Sequence, residues 1–65
     1  MKYTLTINGH IGTVVVAWNE DHYEAFIIVP YKPSRWINLY TCDKDKATDK
    51  ALKELKIALL RCGMC

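Results

Sequence analysis

The stretch that decides the fold is residues 13–30, TVVVAWNEDHYEAFIIVP. Two runs rich in β-branched and aromatic residues, 13–18 and 23–29, flank the polar segment NEDH, a pattern typical of two strands joined by a tight turn. Pro30 closes the second run, because proline has no amide proton to give to a sheet ladder. The stretch therefore predicts an antiparallel hairpin in the middle of the chain.

One further strand is predicted on each side of this hairpin. Residues 1–7 alternate polar and apolar side chains, and Asn8-Gly9 after them is the strongest short-range hairpin signal. Residues 35–41 form a fourth run of the same kind. Consecutive runs joined by short connections pair with their neighbours, so the four strands are predicted to form an antiparallel meander.

The segment that follows, DKDKATDKALKELKIALLRCG at residues 43–63, predicts a helix. Asp43 or Asp45 can cap its start, and Gly63 stands where a C-terminal cap belongs. The chain is thus predicted to be one α+β domain, residues 1–65, in which a four-stranded sheet is covered on one face by a C-terminal helix (ββββα). The apolar stripe of that helix comprises Thr48, Ala51, Leu52, Leu55, Ala58, Leu59 and Cys62.

Composition excludes several classes of protein. The 65 residues are 51% hydrophobic with a net charge of +2, which is too apolar for a disordered chain and too weakly basic for a dense nucleic-acid-binding patch. No stretch reaches the length of a membrane span, and the alternating N-terminus lacks the apolar segment of a signal peptide. Since three cysteines cannot form a closed disulfide framework, we expect a cytoplasmic protein with reduced thiols.

Both faces of the predicted sheet carry large apolar side chains, although one helix can cover only one of them. A contiguous exposed patch indicates a binding surface unless a loop folds over it, and the loops here are short. The side chains predicted on the uncovered face are Phe26, Ile28, Trp36 and Tyr40, accompanied by Glu24 and Asn38.

The helix has a second set of unburied apolar residues. Ile57 and Leu60 project away from its apolar stripe, although two exposed aliphatic side chains on a helix are also ordinary. Together with the sheet patch, they are the predicted protein interface. The predicted occupants are a second copy of the chain and a foreign protein such as a nuclease, a toxin or an effector complex.

The chain shows no catalytic signature. Glycine-rich phosphate loops, HExxH and G-x-S-x-G are all missing. Glu20, Asp21, His22 and Glu24 concentrate titratable groups, but they lie in a predicted hairpin turn, where such residues are simply solvated. We therefore expect a non-enzymatic protein without a cofactor.

Nucleic acid is the alternative partner. Phe26, Trp36 and Tyr40 on an open sheet face could stack unpaired bases. Acidic residues interleave with the helix lysines, however, which is typical of a solvated helix face. The residues that could contact nucleic acid are Lys32, Arg35, Lys46, Lys50 and Lys53.

Cys62 and Cys65 form a Cys-x-x-Cys pair at the end of the chain. A redox pair needs the positive end of a helix dipole, whereas this pair follows the negative end. Zinc needs two more ligands, and Cys42 lies a whole helix length away. No metal site is predicted, and Cys62 is expected to pack as a small hydrophobic residue.

From Thr13 to Leu60 the chain resembles the N-terminal domain of HicB-type antitoxins. The matching pieces are TVVVAWNEDHYEAFIIVP, WINLYT and ATDKALKELKIALL. His22 replaces the glycine of the family's acidic turn, YKPSRW lacks the family's glycine, and no DNA-binding domain follows the helix. The resemblance implies a toxin-binding and oligomerising module without the repressor half.

A second setting fits the same features. Small single-domain binders without catalytic motifs and with exposed apolar faces are typical of phage-encoded inhibitors of host defence, including anti-CRISPR proteins. A slightly basic chain of this kind would act by blocking or bridging protein surfaces, because mimicry of DNA requires strong negative charge.

Overall fold

The computed structural model describes residues 1–62, which form one antiparallel sheet and one helix. The strands pair in the order of the chain, so the sheet is a meander. The predicted ββββα arrangement of an α+β fold is confirmed. Its elements are β1 (Lys2–Ile7), β2 (His10–Asn19), β3 (His22–Ile28), β4 (Arg35–Asn38) and α1 (Lys44–Arg61).

The first hairpin is closed by the Asn8-Gly9 turn. Ile7 pairs with His10, which leaves two residues in the loop. Both have positive φ, 52° at Asn8 and 80° at Gly9, as a type I′ turn requires. The prediction from the Asn-Gly pair is therefore confirmed, and the turn fixes the register of β1 on β2.

β2 begins three residues earlier than predicted because Gly12 is a strand residue. A Cβ atom at Gly12 would lie 2.9 Å from Leu55 Cδ1 and 2.9 Å from Leu59 Cδ2. A glycine in a strand interior often marks a close approach of another element. Here the absence of a side chain lets α1 lie directly against β2.

β4 ends three residues earlier than predicted. The Leu39 N–H donates to Tyr23 O at 3.1 Å, and the Tyr23 N–H donates to Thr41 O at 3.0 Å. One residue of β3 thus spans three residues of the neighbouring segment. Tyr40, in the middle of these three, has φ of 55°, so the chain leaves the regular ladder there.

The helix begins at its Asp43 cap. The Asp43 side chain accepts hydrogen bonds from Asp45 N at 2.9 Å and Lys46 N at 3.3 Å, as the sequence predicts for a capping aspartate. The helix ends at a Cys62 cap whose N–H donates to Leu59 O. The predicted cap at Gly63 lies outside the described residues.

The helix packs on β1, β2 and β3, whereas within residues 1–62 no Cα atom of β4 lies within 8 Å of one in α1, and Ile37 reaches the core only through its side chain. Its buried face is rotated relative to the predicted stripe, since Ala47 is fully buried while Thr48, Leu52 and Ala58 are only partly buried. The core is Val14, Val16, Ala25, Ile27, Val29, Leu39, Ala47, Ala51, Leu55, Leu59 and Cys62. Among the described residues, no helix is long and apolar enough to cross a membrane.

Candidate interaction surface on the uncovered sheet face

A row of apolar side chains crosses the sheet on the face opposite α1. Val14 and Ala25 are fully buried under the helix, so the residues that alternate with them point the other way. The register aligns Val15 with Phe26 and Phe26 with Trp36 across β2, β3 and β4. We call these three residues the apolar row.

The two aromatic members of the row are in direct contact. The ring centroids of Phe26 and Trp36 lie 5.0 Å apart with the planes tilted by 42°. Such a pair is worth about 0.5–1.5 kcal/mol beyond the area that it buries. The contact orients the Trp36 indole, which nevertheless stays 55% exposed.

Further side chains extend the row into a patch. Thr13 pairs with Ile28 on one side of the row, and Glu24 pairs with Ala17 and Asn38 on the other. Ile28 is exposed, like Trp36. Lys2 pairs with Val15 and supplies the cation at the β1 end. The open face is therefore an apolar centre with a polar rim.

Predicted interface residues Phe26, Ile28 and Trp36 all lie on this face, and so do Glu24 and Asn38. The strand register does not place Tyr40, so its membership of this face stays a prediction. Because β4 ends at Asn38 and φ at Tyr40 is positive, strand alternation does not extend to it. Tyr40 is 83% exposed and lines one depression with Ile37 and Lys53 and another with His22 and Asn38.

Ile57 and Leu60 form a separate surface. Both are exposed, as the helical periodicity predicts. Because α1 lies on the covered side of the sheet, the two residues cannot join the open face in one contact area. The predicted interface thus divides into the open face and the back of the helix.

Polar side chains at the β2–β3 turn form a connected network at one end of the open face. The His22 Nδ1 atom lies 2.7 Å from Asp21 Oδ1, and its Nε2 atom lies 3.4 Å from Glu24 Oε2. The Asn19 side-chain amide donates to Glu24 Oε1 at 3.0 Å. The sequence suggested only a solvated turn here, whereas the structure shows an ordered acidic rim.

The network shifts two pKa values. The hydrogen bond to Asp21 raises the pKa of His22, with a smaller contribution from Glu24. The same hydrogen bond, together with the charge of the imidazolium, lowers the pKa of Asp21. Each partner favours the charged form of the other, so the network is strongest when His22 is protonated.

His22 does not form a nucleophile–base pair. Asp21, His22 and the exposed Cys42 line one shallow depression, a combination that could suggest thiol chemistry. Both ring nitrogens of His22 are occupied by carboxylates, however, and the hydrogen bonds of residues 1–62 include none from Cys42. The arrangement stabilises a turn.

The structure separates the residues that the nucleic-acid alternative needs together. Arg35 alternates with Trp36 and therefore faces the helix side. The aromatic rings of Phe26 and Trp36 face the opposite side. Lys32 lines a depression beside the helix, and Lys46, Lys50 and Lys53 lie on the helix itself.

Cys62 packs in the core, as its place on the apolar stripe predicts. It is 4% exposed, and its Sγ donates to Pro30 O at 3.3 Å. Cys65 lies outside the described residues. Within residues 1–62, no three His, Cys, Asp or Glu side chains are grouped so that they could hold a metal ion.

Sequence reasoning missed three members of the open face, Lys2, Val15 and Ile11. The Asn8-Gly9 turn could have predicted them, because a two-residue loop fixes the register of β1 on β2 and therefore the face on which each side chain lies. Counting outward from Ile7 and His10 places Lys2 beside Val15.

No protein-family model matches this chain, and the searches of curated proteins and of solved structures find no match either. The resemblance to HicB-type antitoxins therefore stays a prediction.

Proposed function

We propose that this protein is a non-enzymatic, cytoplasmic binding module that forms a homodimer through the open face of its sheet. The observation that carries the proposal is the apolar row, three adjoining side chains on a face that no element among residues 1–62 covers. Sheets pack face to face about 10 Å apart with interdigitating side chains, so two such faces can cover one another.

The chemistry of the face supports a protein occupant. Large aromatic and aliphatic side chains at the centre with charged groups at the rim are typical of protein interfaces. Trp36, whose ring packs against Phe26, is the kind of large aromatic side chain that anchors protein interfaces. Base stacking is less well supported, because the cations of β4 and α1 lie on the other side of the sheet.

The setting that we propose is inhibition of a protein, in the manner of an antitoxin or a phage-encoded inhibitor. The back of the helix, with Ile57 and Leu60, stays accessible when the open faces pair. We assign the foreign toxin, nuclease or effector complex to that surface. Co-purification from the native host that persists in Trp36→Glu and disappears in Leu60→Glu supports this assignment, and the reverse pattern contradicts it.

Light scattering on two matched tryptophan variants tests the dimer. Trp36 is 55% exposed and Trp18 is 52% exposed, and each has one aromatic neighbour, Phe26 and Tyr23 respectively. The register places them on opposite faces, since Trp18 pairs with Tyr23 on the helix side. Trp36→Glu should give monomers, and Trp18→Glu should leave the dimer intact.

The expected effect is large. Roughly half of an aromatic side chain that offers about 150–250 Å² remains to be buried at Trp36. At about 25 cal/mol/Å² this area is worth about 2–3 kcal/mol per protomer. Both protomers lose it, so the Kd of Trp36→Glu should rise at least a thousandfold. A wild-type chain that is monomeric at about 0.5 mM contradicts the dimer.

A further inference from the structure

β4 is an edge strand with unpaired backbone groups. The hydrogen bond from Leu39 N–H to Tyr23 O marks a bonded pair, and bonded pairs recur at every second residue of an antiparallel ladder. Ile37 and Arg35 therefore direct their backbone groups toward β3. The N–H and C=O groups of Trp36 and Asn38 point outward, where they can pair with another strand.

Two depressions accompany this edge on the helix side, because α1 packs closely on the other three strands and lies farther from β4. One, of about 490 Å³, has Ile37 and Leu39 in its floor. The other, of about 230 Å³, has Ile27, Val29 and Ala58. An added strand would therefore find apolar pockets beside β4 as well as free backbone groups.

The charges around these depressions are almost all of one sign. Lys50 and Lys53 line the larger one together with Glu54, and Lys32, Arg35 and Arg61 line the smaller one. Within residues 1–62 the only ion pairs are those of His22, so none of these five cations is paired directly with a described carboxylate, and Glu54 is the one acidic residue that lines either depression. Lys50 donates a hydrogen bond to the backbone carbonyl of Leu39. The hydrogen bonds described for residues 1–62 include none from the side chains of the other four cations.

We propose that β4 binds an extended acidic segment of a partner protein as a fifth strand. Backbone hydrogen bonds to Trp36 and Asn38 hold the segment, and carboxylates at its two ends meet the cations of the two depressions. The backbone edge and the cations of this site lie outside the open face, so the site overlaps the proposed dimer only beside Trp36 and Asn38.

The structure specifies the pattern of the segment. Residues opposite Arg35 and Leu39 face the helix side near cations and should be acidic. The residue between them, opposite Ile37, should be a small aliphatic one. The residues opposite Trp36 and Asn38 face the other side and should be aromatic and polar. In the antiparallel direction this gives Glu-Thr-Val-Tyr-Glu.

The charge pattern favours this occupant over a second copy of β4. In the same register, an antiparallel pair of β4 strands would place each Arg35 opposite Leu39 of the other copy, beside Lys50 and Lys53, and like charges brought together in this way are destabilising. Single-stranded RNA is less suitable, because the floors of the depressions are aliphatic and only Tyr40 could stack on a base.

The test is an NMR titration of the full chain with acetyl-Glu-Thr-Val-Tyr-Glu-amide, up to about 1 mM. Amide shifts at Trp36 and Asn38 are expected, with an affinity that falls in 0.5 M salt. The peptide in which both glutamates are lysine should bind at least tenfold more weakly. N-methylation of the Thr and Tyr amides, which face β4, should abolish binding, whereas N-methylation of Val and the last Glu should not.

Two protein variants complete the test. Arg35→Glu with Lys53→Glu should lose binding at least tenfold while the chain keeps its dimer. Lys44→Glu with Lys56→Glu is the matched control, because it reverses two exposed helix lysines that line neither depression. Failure of the dimer in light scattering leaves these expectations unchanged. Equal binding of the two peptides, indifference to N-methylation, or an oligo(U) strand that binds in place of the peptide overturns the proposal.

Discussion

Gly12→Ala should destabilise the fold, because the helix rests on this glycine. The new Cβ would stand 2.9 Å from Leu55 Cδ1, 2.9 Å from Leu59 Cδ2 and 3.0 Å from Leu59 Cγ. Carbon atoms in contact normally lie about 3.5–4.0 Å apart, so α1 must move by about 0.5 Å or more. Leu55 and Leu59 are 0% and 1% exposed, which leaves the two side chains no open space to enter.

The magnitude follows from two opposed effects. Overpacking a close-packed core costs about 1–3 kcal/mol. Replacing a glycine that does not have positive φ with alanine stabilises the fold by about 0.4–1 kcal/mol, because alanine lowers the conformational entropy of the unfolded chain. The expected net loss is about 1–2 kcal/mol in the free energy of unfolding. Urea denaturation followed by circular dichroism should show it as a midpoint lowered by about 1 M for a domain of this size.

A double variant distinguishes the steric reason from a general effect on the strand. Leu59→Ala alone should cost about 2–5 kcal/mol, because it opens a cavity. Combined with Gly12→Ala it should cost less than the sum, since the new methyl group occupies part of that cavity. Strict additivity, or a neutral Gly12→Ala, would refute the close approach of α1 to β2.

Three further outcomes are expected. Asp43→Ala should lower the free energy of unfolding by about 1 kcal/mol, while Asp43→Asn should keep the helix cap, as urea denaturation will show. The hydrogen bond to Asp21 raises the pKa of His22, so its stabilisation should be full below the ordinary value of about 6.5 and vanish as pH rises through the raised value. NMR titration gives that pKa, and the stability difference from His22→Gln should close over the same interval. Alkylation followed by mass spectrometry should find the exposed Cys42 modified well before the buried Cys62.

The parts of the fold that rest on local signals were predictable from sequence. Asn8-Gly9 predicts its turn, because only residues that tolerate positive φ fit both central positions. Asp43 predicts the start of the helix, because its carboxylate can accept the free N–H groups of the first turn. In both cases the decisive interaction lies within three residues of the chain.

The parts that failed depend on contacts between distant residues. Gly12 falls outside the predicted run 13–18, whereas its role in β2 is set by Leu55 and Leu59 more than forty positions later. Tyr40 continues the alternating pattern of β4 in the sequence. The regular ladder ends before it, because Tyr23 accepts from the Leu39 N–H and donates to the Thr41 carbonyl.

The basic edge of β4 could not be read from the sequence for the same reason. Lys32 and Arg35 precede the helix residues Lys53 and Arg61 by many positions, and acidic residues stand between them in the chain. The packing of α1 beside β4 brings the cations to one side, where Glu54 is the one acidic residue that lines either depression. The net charge of a chain therefore does not predict where like charges cluster on its surface.

The central claim is that the open face is the homodimer interface, and an NMR dilution series tests it most directly. Amide and indole signals are recorded from about 1 mM down to a few micromolar, a range that spans the affinities expected of such a contact. The account predicts concentration-dependent shifts at Val15, Phe26, Ile28 and Trp36, with Trp18 unchanged. Shifts that cluster on Ile57 and Leu60, or none at any concentration, would contradict it.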